Sequence, residues 1–517
     1  MRNTLIFIAI ISVFYIPLTL LDYNHFPYSD GAEHGAAVRE LAKNMVNPED
    51  PMLANHSGNS PRFVPSTLVM ALFMQLFELD VLVTLKIFLI ACFLLFLVSA
   101  ALFSREYFND TGQVFWSLAS LLFLWGQGWM GSSAYMFSAI LYTSYFPSVV
   151  SFSLSLMALY LQLRFLRCKK TGFLIAEILL GSLVFVNHPL TGVFFFICSG
   201  LLYIEKRGFE KKMAFCYLLS VIAAFSLMGL WPYYSFFTNF FKIASGQMAQ
   251  TADYQSTRHY LYSMTLLRSG PALVGIPFVT LFLFRKRHLF LVGSFLIFGL
   301  IYITGNFVKI SLAERFIFFT IFTLQMTVSR VLREWFSFPL FTSIIDIKRI
   351  TLWFLFLLLT IGMIIQIVFL YTKFIAPAFS FKPGLYLPHY VSPNTMQLEL
   401  RKHLSEDDVV LSDIYSSWSI PVYTGAKIIA LFHTPPQVND NLERIEDVET
   451  FYESSTTREV RENILKKYGV THVLLNFQTA GKNIEPILKD MGFPVIARNE
   501  LFSLFSIAPN LLKLEDK

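Results

Sequence analysis

Charged side chains are scarce in this sequence. Only 15% of its 517 residues are Asp, Glu, Lys or Arg, against roughly 25% in an average soluble domain. Apolar residues make up 55% of the chain, Phe alone occupies 55 positions, and the mean hydropathy is +0.55. This composition excludes a soluble globular enzyme, a disordered chain and a nucleic-acid-binding protein, and it predicts a protein that spans a membrane.

Cysteine is also scarce, and a nucleotide-binding motif is missing. None of the four cysteines has the CxxC spacing of a metal or redox site, and all lie within or at the ends of apolar segments: Cys92, Cys168, Cys198 and Cys216. We interpret them as buried thiols rather than as a disulfide framework. No glycine-rich phosphate loop opens a predicted helix, so no nucleotide site is expected.

Long apolar runs are abundant. They reach the roughly 20 residues that a helix needs to cross a bilayer, which also excludes a barrel of short alternating strands. The first run, residues 4–21, lacks a small-residue cleavage site after it, so we predict a retained span rather than a signal peptide. Twelve further candidate spans lie near 63–79, 83–103, 113–130, 132–148, 149–166, 173–187, 190–204, 213–231, 271–284, 289–304, 313–329 and 350–373.

The few basic residues predict the orientation of these spans. Four short basic clusters are separated by pairs of apolar spans, so all four can face the cytoplasm: Arg164–Lys170, Lys206–Lys212, Arg285–Arg287 and Arg330–Arg349. The N-terminus then lies in the cytoplasm, and the loop 22–62 and everything after residue 374 lie outside. Opposite sides for the two ends require an odd number of crossings, so the weak span 132–148 is predicted to cross.

The composition becomes more polar after residue 374. The predicted fold class is a polytopic α-helical membrane protein with about 11–13 transmembrane helices and a C-terminal soluble α/β domain. We place a helical membrane domain at residues 1–375, including the external loop 22–62, and an extracytoplasmic α/β domain at residues 376–517. Within the second domain, strands near 407–411, 426–431, 469–475 and 494–497 and helices over 446–467 and 484–491 indicate a partly parallel sheet.

The loop after the first span carries the densest polar sequence. From Ser29 onward it has the pattern of a helix start, with an N-cap candidate and acidic residues in the first turn. Asp30, Glu33 and His34 then fall at i, i+3 and i+4 and share one helix face. Two carboxylates and an imidazole at a membrane surface can act as a general base, orient a hydroxyl or hold a divalent cation. The alternative is a solvated, capped juxtamembrane helix.

Other polar residues lie at the same predicted external level. His188 caps a tight turn between two apolar spans, and a lone loop histidine is usually structural. Glu314 and Arg315 begin an apolar span, where burying two charges is costly. The cost falls if the residues bind a ligand, pair with each other, or extend their charged ends to the membrane interface. Arg258 and His259 lie in a loop with several aromatic residues, which suits either a phosphate headgroup or an interfacial aromatic belt.

This arrangement resembles the GT-C superfamily of integral membrane glycosyltransferases. In that family a first span precedes a long external loop with an acidic motif, and a multi-span body and often an external soluble domain follow. The acidic motif here is Asp30-Gly31-Ala32-Glu33-His34, and the stretches 408–427 and 466–475 are similar to the extracytoplasmic domains of bacterial members. Family motifs usually place the two acids adjacent or one residue apart, whereas two residues separate Asp30 from Glu33.

The resemblance implies a transferase that moves a sugar from a polyprenyl-phosphate donor to a glycan, lipid or protein acceptor. It assigns Asp30 as the catalytic base, with Glu33 and His34 orienting the acceptor. Arg315 and Arg258 would hold the donor phosphate, whose leaving oxygen develops charge. The further substrate-binding candidates are His188, His259 and Glu314.

The resemblance also implies the setting of this reaction. A lipid-linked donor removes the need for a nucleotide-binding domain. No cofactor is expected and no metal site is assigned, because many family members work without a metal, and a divalent cation is left open. The expected location is a bacterial inner membrane, with the lipid bilayer as a partner and no nucleic acid.

Three other classes remain as alternatives. A transporter or flippase of lipid-linked sugars predicts ionisable residues near the bilayer midplane and an inverted repeat. The predicted spans are nearly free of such residues, and no repeat is visible. A polymerase or ligase of surface polysaccharide predicts its large functional loop late in the chain. A purely structural assembly factor is the last alternative.

Overall fold

The chain divides into two compact units. The computed structural model describes residues 2–21, 26–27, 30–56, 60–126, 133–237, 258–259, 261–263, 265–308, 310, 312–336, 347–372, 393–432, 438, 440–479 and 483–507. The helical unit comprises Met1–Leu21 and Lys86–Ser380, and the mixed unit comprises Asp22–Leu85 and Phe381–Lys517. The loop 22–62, which the sequence predicts to belong to the membrane domain, therefore groups with the C-terminal residues.

Helices dominate the chain up to residue 370. In chain order they are α1 (Arg2–Leu21), α2 (Gly31–Lys43), α3 (Pro65–Leu76), α4 (Val81–Phe108), α5 (Gln113–Phe123), α6 (Phe137–Thr143), α7 (Pro147–Cys168), α8 (Thr171–Asn187), α9 (Pro189–Arg207), α10 (Lys211–Met228), α11 (Thr265–Leu273), α12 (Ile276–Phe284), α13 (Leu289–Val308), a 3-10 turn (Ala313–Phe316), α14 (Ile317–Phe336) and α15 (Ile347–Leu370). Helices α2 and α3 belong to the mixed unit, and the others form the helical unit.

The helical unit has the length and composition of a membrane-spanning body. Within the described residues, six helices are long and apolar enough to cross a bilayer, and α11 and α12 form a seventh span bent by 47°. Five shorter apolar helices also occur, of which α3 belongs to the mixed unit. This confirms the predicted polytopic helical membrane protein. Four of these shorter helices therefore lie in the helical unit.

The prediction of a crossing helix near 132–148 is wrong. Helix α5 ends after 11 residues, and α6 has only 7 residues. The length of α6 is therefore about 10 Å, whereas the hydrocarbon core of a bilayer is about 30 Å thick. Side chains satisfy carbonyl groups at the end of α5: Gln366 donates to Leu122 O at 2.8 Å, and Gln325 donates to Leu124 O at 3.0 Å. Non-helical backbone at membrane depth requires such partners.

The C-terminal part of the mixed unit alternates short strands and helices. They are α16 (Pro393–Leu400), β1 (Val409–Leu411), α17 (Ile414–Ser417), α18 (Ile420–Thr424), β2 (Lys427–Ile428), α19 (Asn441–Tyr452), α20 (Arg458–Tyr468), β3 (His472–Asn476), α21 (Glu485–Asp490), β4 (Val495–Arg498) and β5 (Phe502–Ser506). The strand order is β2-β1-β3-β5-β4, with β2, β1 and β3 parallel and β5 antiparallel to both β3 and β4. This confirms the predicted partly parallel sheet.

The sheet is covered by an apolar core on each face. Val473 and Leu475 of β3 belong to one buried cluster, whereas Leu474 between them belongs to another. Successive strand residues point to opposite faces, so the two clusters cover the two sides of the sheet. The second cluster also contains Ala36 and Leu53. The N-terminal segment of the mixed unit is therefore part of its core.

Backbone hydrogen bonds add this N-terminal segment to the sheet edge. Ile428 N donates to Met52 O at 2.8 Å, and Ala54 N donates to Ile428 O at 2.9 Å. Leu53 pairs with Ile428 in a parallel bridge. An edge strand with unpaired amides is thereby covered. Residues 52–54 continue the sheet beyond β2.

Helix α2 is fixed to the same unit by close packing and by polar contacts. A Cβ atom at Gly35 would lie 2.4 Å from Val422 Cγ2, so only glycine permits this approach to α18. Arg39 Nη2 donates to Val422 O at 3.0 Å. Lys427 Nζ lies 2.8 Å from Glu40 Oε2, in an ion pair whose side chains are 11% and 7% exposed. Helix α2 is therefore held in one position relative to the sheet.

Removing the charge from this buried pair should destabilise the mixed unit. We expect Glu40→Gln to lower the free energy of unfolding by about 3 kcal/mol, because the Lys427 charge stays buried without its partner. Adding Lys427→Met should recover part of this loss. Lys43 and Glu406, 3.9 Å apart and 45% and 44% exposed, supply the control on the same helix: Lys43→Ala should cost about 0–1 kcal/mol. Denaturant unfolding measures both values. If Glu40→Gln and Lys43→Ala lowered the free energy of unfolding equally, the stabilising role of the buried Glu40–Lys427 pair would be contradicted.

Two histidines of the mixed unit should respond to pH with opposite sign. A hydrogen bond of 3.0 Å from Nδ1 to Asp50 Oδ2 raises the pKa of His56, and Asp440 supports this while burial and Arg444 oppose it. Protonated His56 therefore stabilises the fold at low pH, and this contribution is lost as the pH rises through the raised pKa. Burial lowers the pKa of His472, partly offset by Asp408, so its contribution is lost as the pH falls.

The check is the unfolding free energy of each variant across pH 5 to 8, taken as a difference from the unsubstituted protein. For His56→Gln we expect the difference to be largest at the acidic end and to shrink toward pH 8. For His472→Gln the trend should be reversed. Two parallel trends would show that the environments of the histidines are misassigned.

Candidate functional site

The predicted acidic helix exists and is buried. Asp30 takes the N-cap position of α2, with its side chain making no capping hydrogen bond, and it is half-buried. The N-cap candidate Ser29 lies outside the described residues. Glu33 is 7% exposed and His34 is 4% exposed. Because these polar residues point into the mixed unit, α2 is not a solvated surface helix.

Both oxygens of Glu33 are engaged by donors. Trp418 Nε1 donates to Glu33 Oε1 at 2.9 Å, and the Arg62 guanidinium forms an ion pair with Glu33 Oε2. An ion pair together with a second hydrogen bond satisfies a buried carboxylate on both oxygens. Glu33 therefore connects the acidic helix to the turn before α18 and to the chain before α3. Its geometry is that of a positioning residue.

Arg62 is the residue of this site that the sequence analysis missed. Burial alone would lower its pKa, but the charges of Glu33 and Asp30 outweigh burial and raise it. The guanidinium thus stays charged between the two acids. The only sequence signal was its place at the end of the polar loop, in Pro61-Arg62-Phe63. Spacing along one helix cannot indicate a partner 29 or more residues away.

Asp30 has the surroundings of a functional carboxylate. It lies at the N-terminus of α2, where the helix dipole favours negative charge, and it interacts with the Arg62 charge. Its backbone carbonyl accepts the amide of His34 at 3.0 Å, which fixes the first turn. A half-buried carboxylate on a rigid helix start can accept a proton from a hydroxyl brought against it.

The acidic group does not fit a resident metal ion. Within the described part of the chain, no three His, Cys, Asp or Glu side chains come together as a possible metal site. Glu33 already accepts from an indole and a guanidinium. A cation would need those same lone pairs, and Arg62 would repel it. The chemistry of Asp30, Glu33 and His34 is therefore considered without a metal.

The other predicted site residues belong to the helical unit, and His188 has a structural role there. It is the N-cap of α9: its Nδ1 accepts the Thr191 amide at 3.3 Å and lies 2.8 Å from Thr191 Oγ1. A nitrogen that accepts an amide carries no proton, so the neutral ring holds its proton on Nε2. Capping the first turn explains a histidine at this position without any ligand.

Arg258 is also engaged by the protein. Its guanidinium donates to Gly305 O at 2.7 Å and to Asn306 O at 3.1 Å, and it lies 5.6 Å from the centre of the Tyr262 ring. These carbonyls belong to the last turn of α13, where a cation is favoured by the helix dipole. The neighbouring His259 is exposed.

Glu314 and Arg315 differ sharply in environment although they are adjacent. Both lie in the 3-10 turn before α14, where Glu314 is fully buried and Arg315 is half-buried. In the described part of the chain, the Arg315 side chain has no carboxylate partner. A half-buried guanidinium at an apolar boundary favours an anionic ligand. Of the predicted phosphate-binding residues, Arg315 has the better geometry.

The predicted site residues thus fall into two groups, one in each unit. Asp30, Glu33 and His34 share the first turns of α2, together with the missed Arg62, in the mixed unit. The remaining predicted residues belong to the helical unit: His188, Arg258, His259, Glu314 and Arg315. Two of the latter, His188 and Arg258, already serve helix ends.

The fold is shared with solved structures, although sequence comparison finds no relative. No protein-family model matches the chain, and no curated protein matches it significantly. The oligosaccharyltransferase of Archaeoglobus fulgidus, tethered with an acceptor peptide containing the NVT sequon via a disulfide bond, matches at 12% identity with a TM-score of 0.52. The match covers 93% of this chain and 71% of that one.

The apo form of the same enzyme matches at 11% identity, over 90% of this chain and 69% of that one, with a TM-score of 0.49. At 12% identity the match with a TM-score of 0.52 establishes the fold, and a fold hosts more than one function. This chain therefore shares the overall fold of that oligosaccharyltransferase.

Proposed function

We propose that this chain is a membrane glycosyltransferase that moves a sugar from a polyprenyl-phosphate donor to an extracytoplasmic acceptor. The observation that carries the proposal is the half-buried Asp30 at the start of α2, beside Arg62, in a chain with a GT-C-like fold. The proposed setting is a bacterial inner membrane, with the N-terminus in the cytoplasm and the mixed unit outside. The acceptor is a glycan, a lipid or a protein.

In the proposed reaction, Asp30 takes the proton of the acceptor hydroxyl as that oxygen attacks the anomeric carbon. A glycosidic bond forms, the bond between the anomeric carbon and the phosphate oxygen breaks, and the lipid phosphate leaves with the electron pair. The Arg62 charge interacts with the Asp30 carboxylate, and Glu33, itself fixed by Trp418, holds Arg62 in place. A base held within hydrogen-bonding reach of its proton contributes about 10²- to 10⁴-fold.

The leaving phosphate needs a positive charge. Arg315 is the proposed donor-binding residue, since its guanidinium is half-buried and has no carboxylate partner in the described residues. Guanidinium groups bind phosphate through two parallel hydrogen bonds and stabilise the charge that develops on it. Arg258 is a weaker choice because two carbonyl oxygens already accept from its Nη2.

A transporter of lipid-linked sugars is the second candidate, and one observation favours it. Glu177 lies inside α8 and is 2% exposed, and its Oε1 accepts from Ser199 at 3.5 Å. Buried acids within spans are typical of transport pathways. Arg268 in α11 is also buried, at 4% exposure. The transferase is favoured because the acidic helix and the GT-C-like fold support it together.

Replacing Asp30 should abolish transfer without unfolding the protein. We expect Asp30→Asn to lower glycan product at least about 100-fold, measured by mass spectrometry of glycans and glycolipids in cells that carry this variant as their sole copy. Asp80→Asn is the matched control, because Asp80 is a partly exposed carboxylate of the same unit that pairs with Arg401. Product at the unsubstituted level in Asp30→Asn, with normal membrane abundance, would overturn the catalytic assignment.

Replacing Arg315 should act on the donor rather than on the proton transfer. With membranes that contain the native lipid donor, Arg315→Ala should raise the donor concentration for half-maximal rate by about 10-fold or more, and Arg315→Lys should restore part of it. Thermal unfolding should be unchanged, since Arg315 has no ion pair to lose in the described chain. An unaltered donor dependence would assign phosphate binding elsewhere.

A further inference from the structure

Three aromatic side chains of the mixed unit form a continuous patch. Tyr415 lies on α17, Trp418 follows α17, and Phe432 follows β2. The Tyr415 and Phe432 ring centres are 5.3 Å apart at 52°, and those of Trp418 and Phe432 are 5.1 Å apart at 30°. These separations are those of interacting rings. We call this group the aromatic patch.

The patch is open on one side. Tyr415 is 71% exposed, and Trp418 and Phe432 are partly exposed. Most large apolar side chains of this unit are instead buried in the two clusters that cover the sheet. An exposed group of large apolar side chains with a polar rim marks an interaction surface.

The inner end of the patch is bonded to the acidic helix. The Trp418 indole donates to Glu33 Oε1, and Glu33 Oε2 pairs with Arg62, whose charge also interacts with Asp30. Each of these residues belongs to the mixed unit. The aromatic patch is therefore connected to the proposed base through Glu33 and Arg62.

Polar side chains form hydrogen bonds with α17, the helix that carries Tyr415. Asp413 Oδ1 accepts the Ser416 amide at 3.1 Å, and Asp413 Oδ2 accepts Thr479 Oγ1 at 2.9 Å. Asn476 Nδ2 donates to Ser416 Oγ at 2.9 Å. Carboxylate, amide and hydroxyl groups are thus clustered around α17, the helix that carries Tyr415, and they are able to exchange hydrogen bonds with a ligand rich in hydroxyl groups.

We propose that the aromatic patch binds a sugar ring of a glycan acceptor. A pyranose has one apolar face of C–H groups, which packs on an aromatic ring, and hydroxyl groups at its edge, which suit the polar side chains around α17. The inference rests on the proposed function and narrows its acceptor from glycan, lipid or protein to glycan. The partly exposed carboxylate of Asp413, which caps α17, disfavours an anionic lipid surface at the same place.

The test is sugar binding by the full-length protein in phosphatidylcholine nanodiscs. The probes are maltotriose, cellotriose and chitotriose, detected by saturation-transfer NMR, together with a peptide that contains Asn-Val-Thr. We expect at least one trisaccharide to bind, with saturation strongest on one face of a ring. Tyr415→Ala and Phe432→Ala should each weaken this binding by about 3- to 10-fold. Tyr415→Phe, which keeps the ring, should retain it.

Leu442→Ala is the matched control, because Leu442 is 62% exposed in the same unit and lies outside the patch. It should leave sugar binding unchanged, and thermal unfolding should show that every variant folds. Binding that is insensitive to Tyr415→Ala, or the absence of binding for all three sugars, would overturn the proposal. Tyr415-dependent binding of the peptide alone, or of anionic nanodiscs alone, would overturn it in favour of those partners.

The outcome is separable from that of the proposed function. Asp30→Asn should bind the trisaccharide like the unsubstituted protein, because the base does not contribute to stacking. Sugar binding together with full glycan synthesis by Asp30→Asn would leave the patch as a glycan site and refute the catalytic role. Loss of synthesis in Asp30→Asn without any sugar binding would refute the patch alone.

Discussion

The parallel pairing of residues 52–54 with Ile428 is the contact on which the fold of the mixed unit depends. Two backbone hydrogen bonds make the N-terminal segment an edge strand of a sheet whose other strands lie after residue 408. Ala36 and Leu53 then enter the apolar core, and Lys427 finds a partner in Glu40. Without this pairing, α2 would be a short amphipathic helix on a loop. Such helices are marginal in water without tertiary packing.

This constraint explains how a few acids on a short helix become a defined site. Glu33 is fixed from two directions by Trp418 and Arg62, and the first turn of α2 is thereby held. Sites built on rigid, supported elements keep reacting groups in place far better than free loops do. The same contacts join the acidic helix to the aromatic patch. A base and an acceptor platform are thus parts of one folded unit, separate in sequence by almost 400 residues.

Local sequence patterns predicted the local structure well. The apolar runs, the helix after Ser29 and four of the five strands are encoded in short stretches, as periodicity and burial require.

The grouping of residues 22–85 with the C-terminal part was not predictable, because it depends on pairing across the whole chain. Arg62 was missed for the same reason. Strand β5 was missed because its alternating Phe-Ser-Leu-Phe-Ser sequence is short and lies near the end of the chain. The early end of α5 was not predictable, since Gln325 and Gln366, which donate to carbonyl groups at that end, lie 200 or more residues away.

The most direct test of glycosyl transfer at the acidic helix is a cryo-electron microscopy map of the full-length protein with its native lipid-phosphate sugar bound. The mechanism predicts sugar density against the first turn of α2, with the anomeric carbon facing the Asp30 carboxylate. A bound sugar that makes no contact with the first turn of α2 would contradict it.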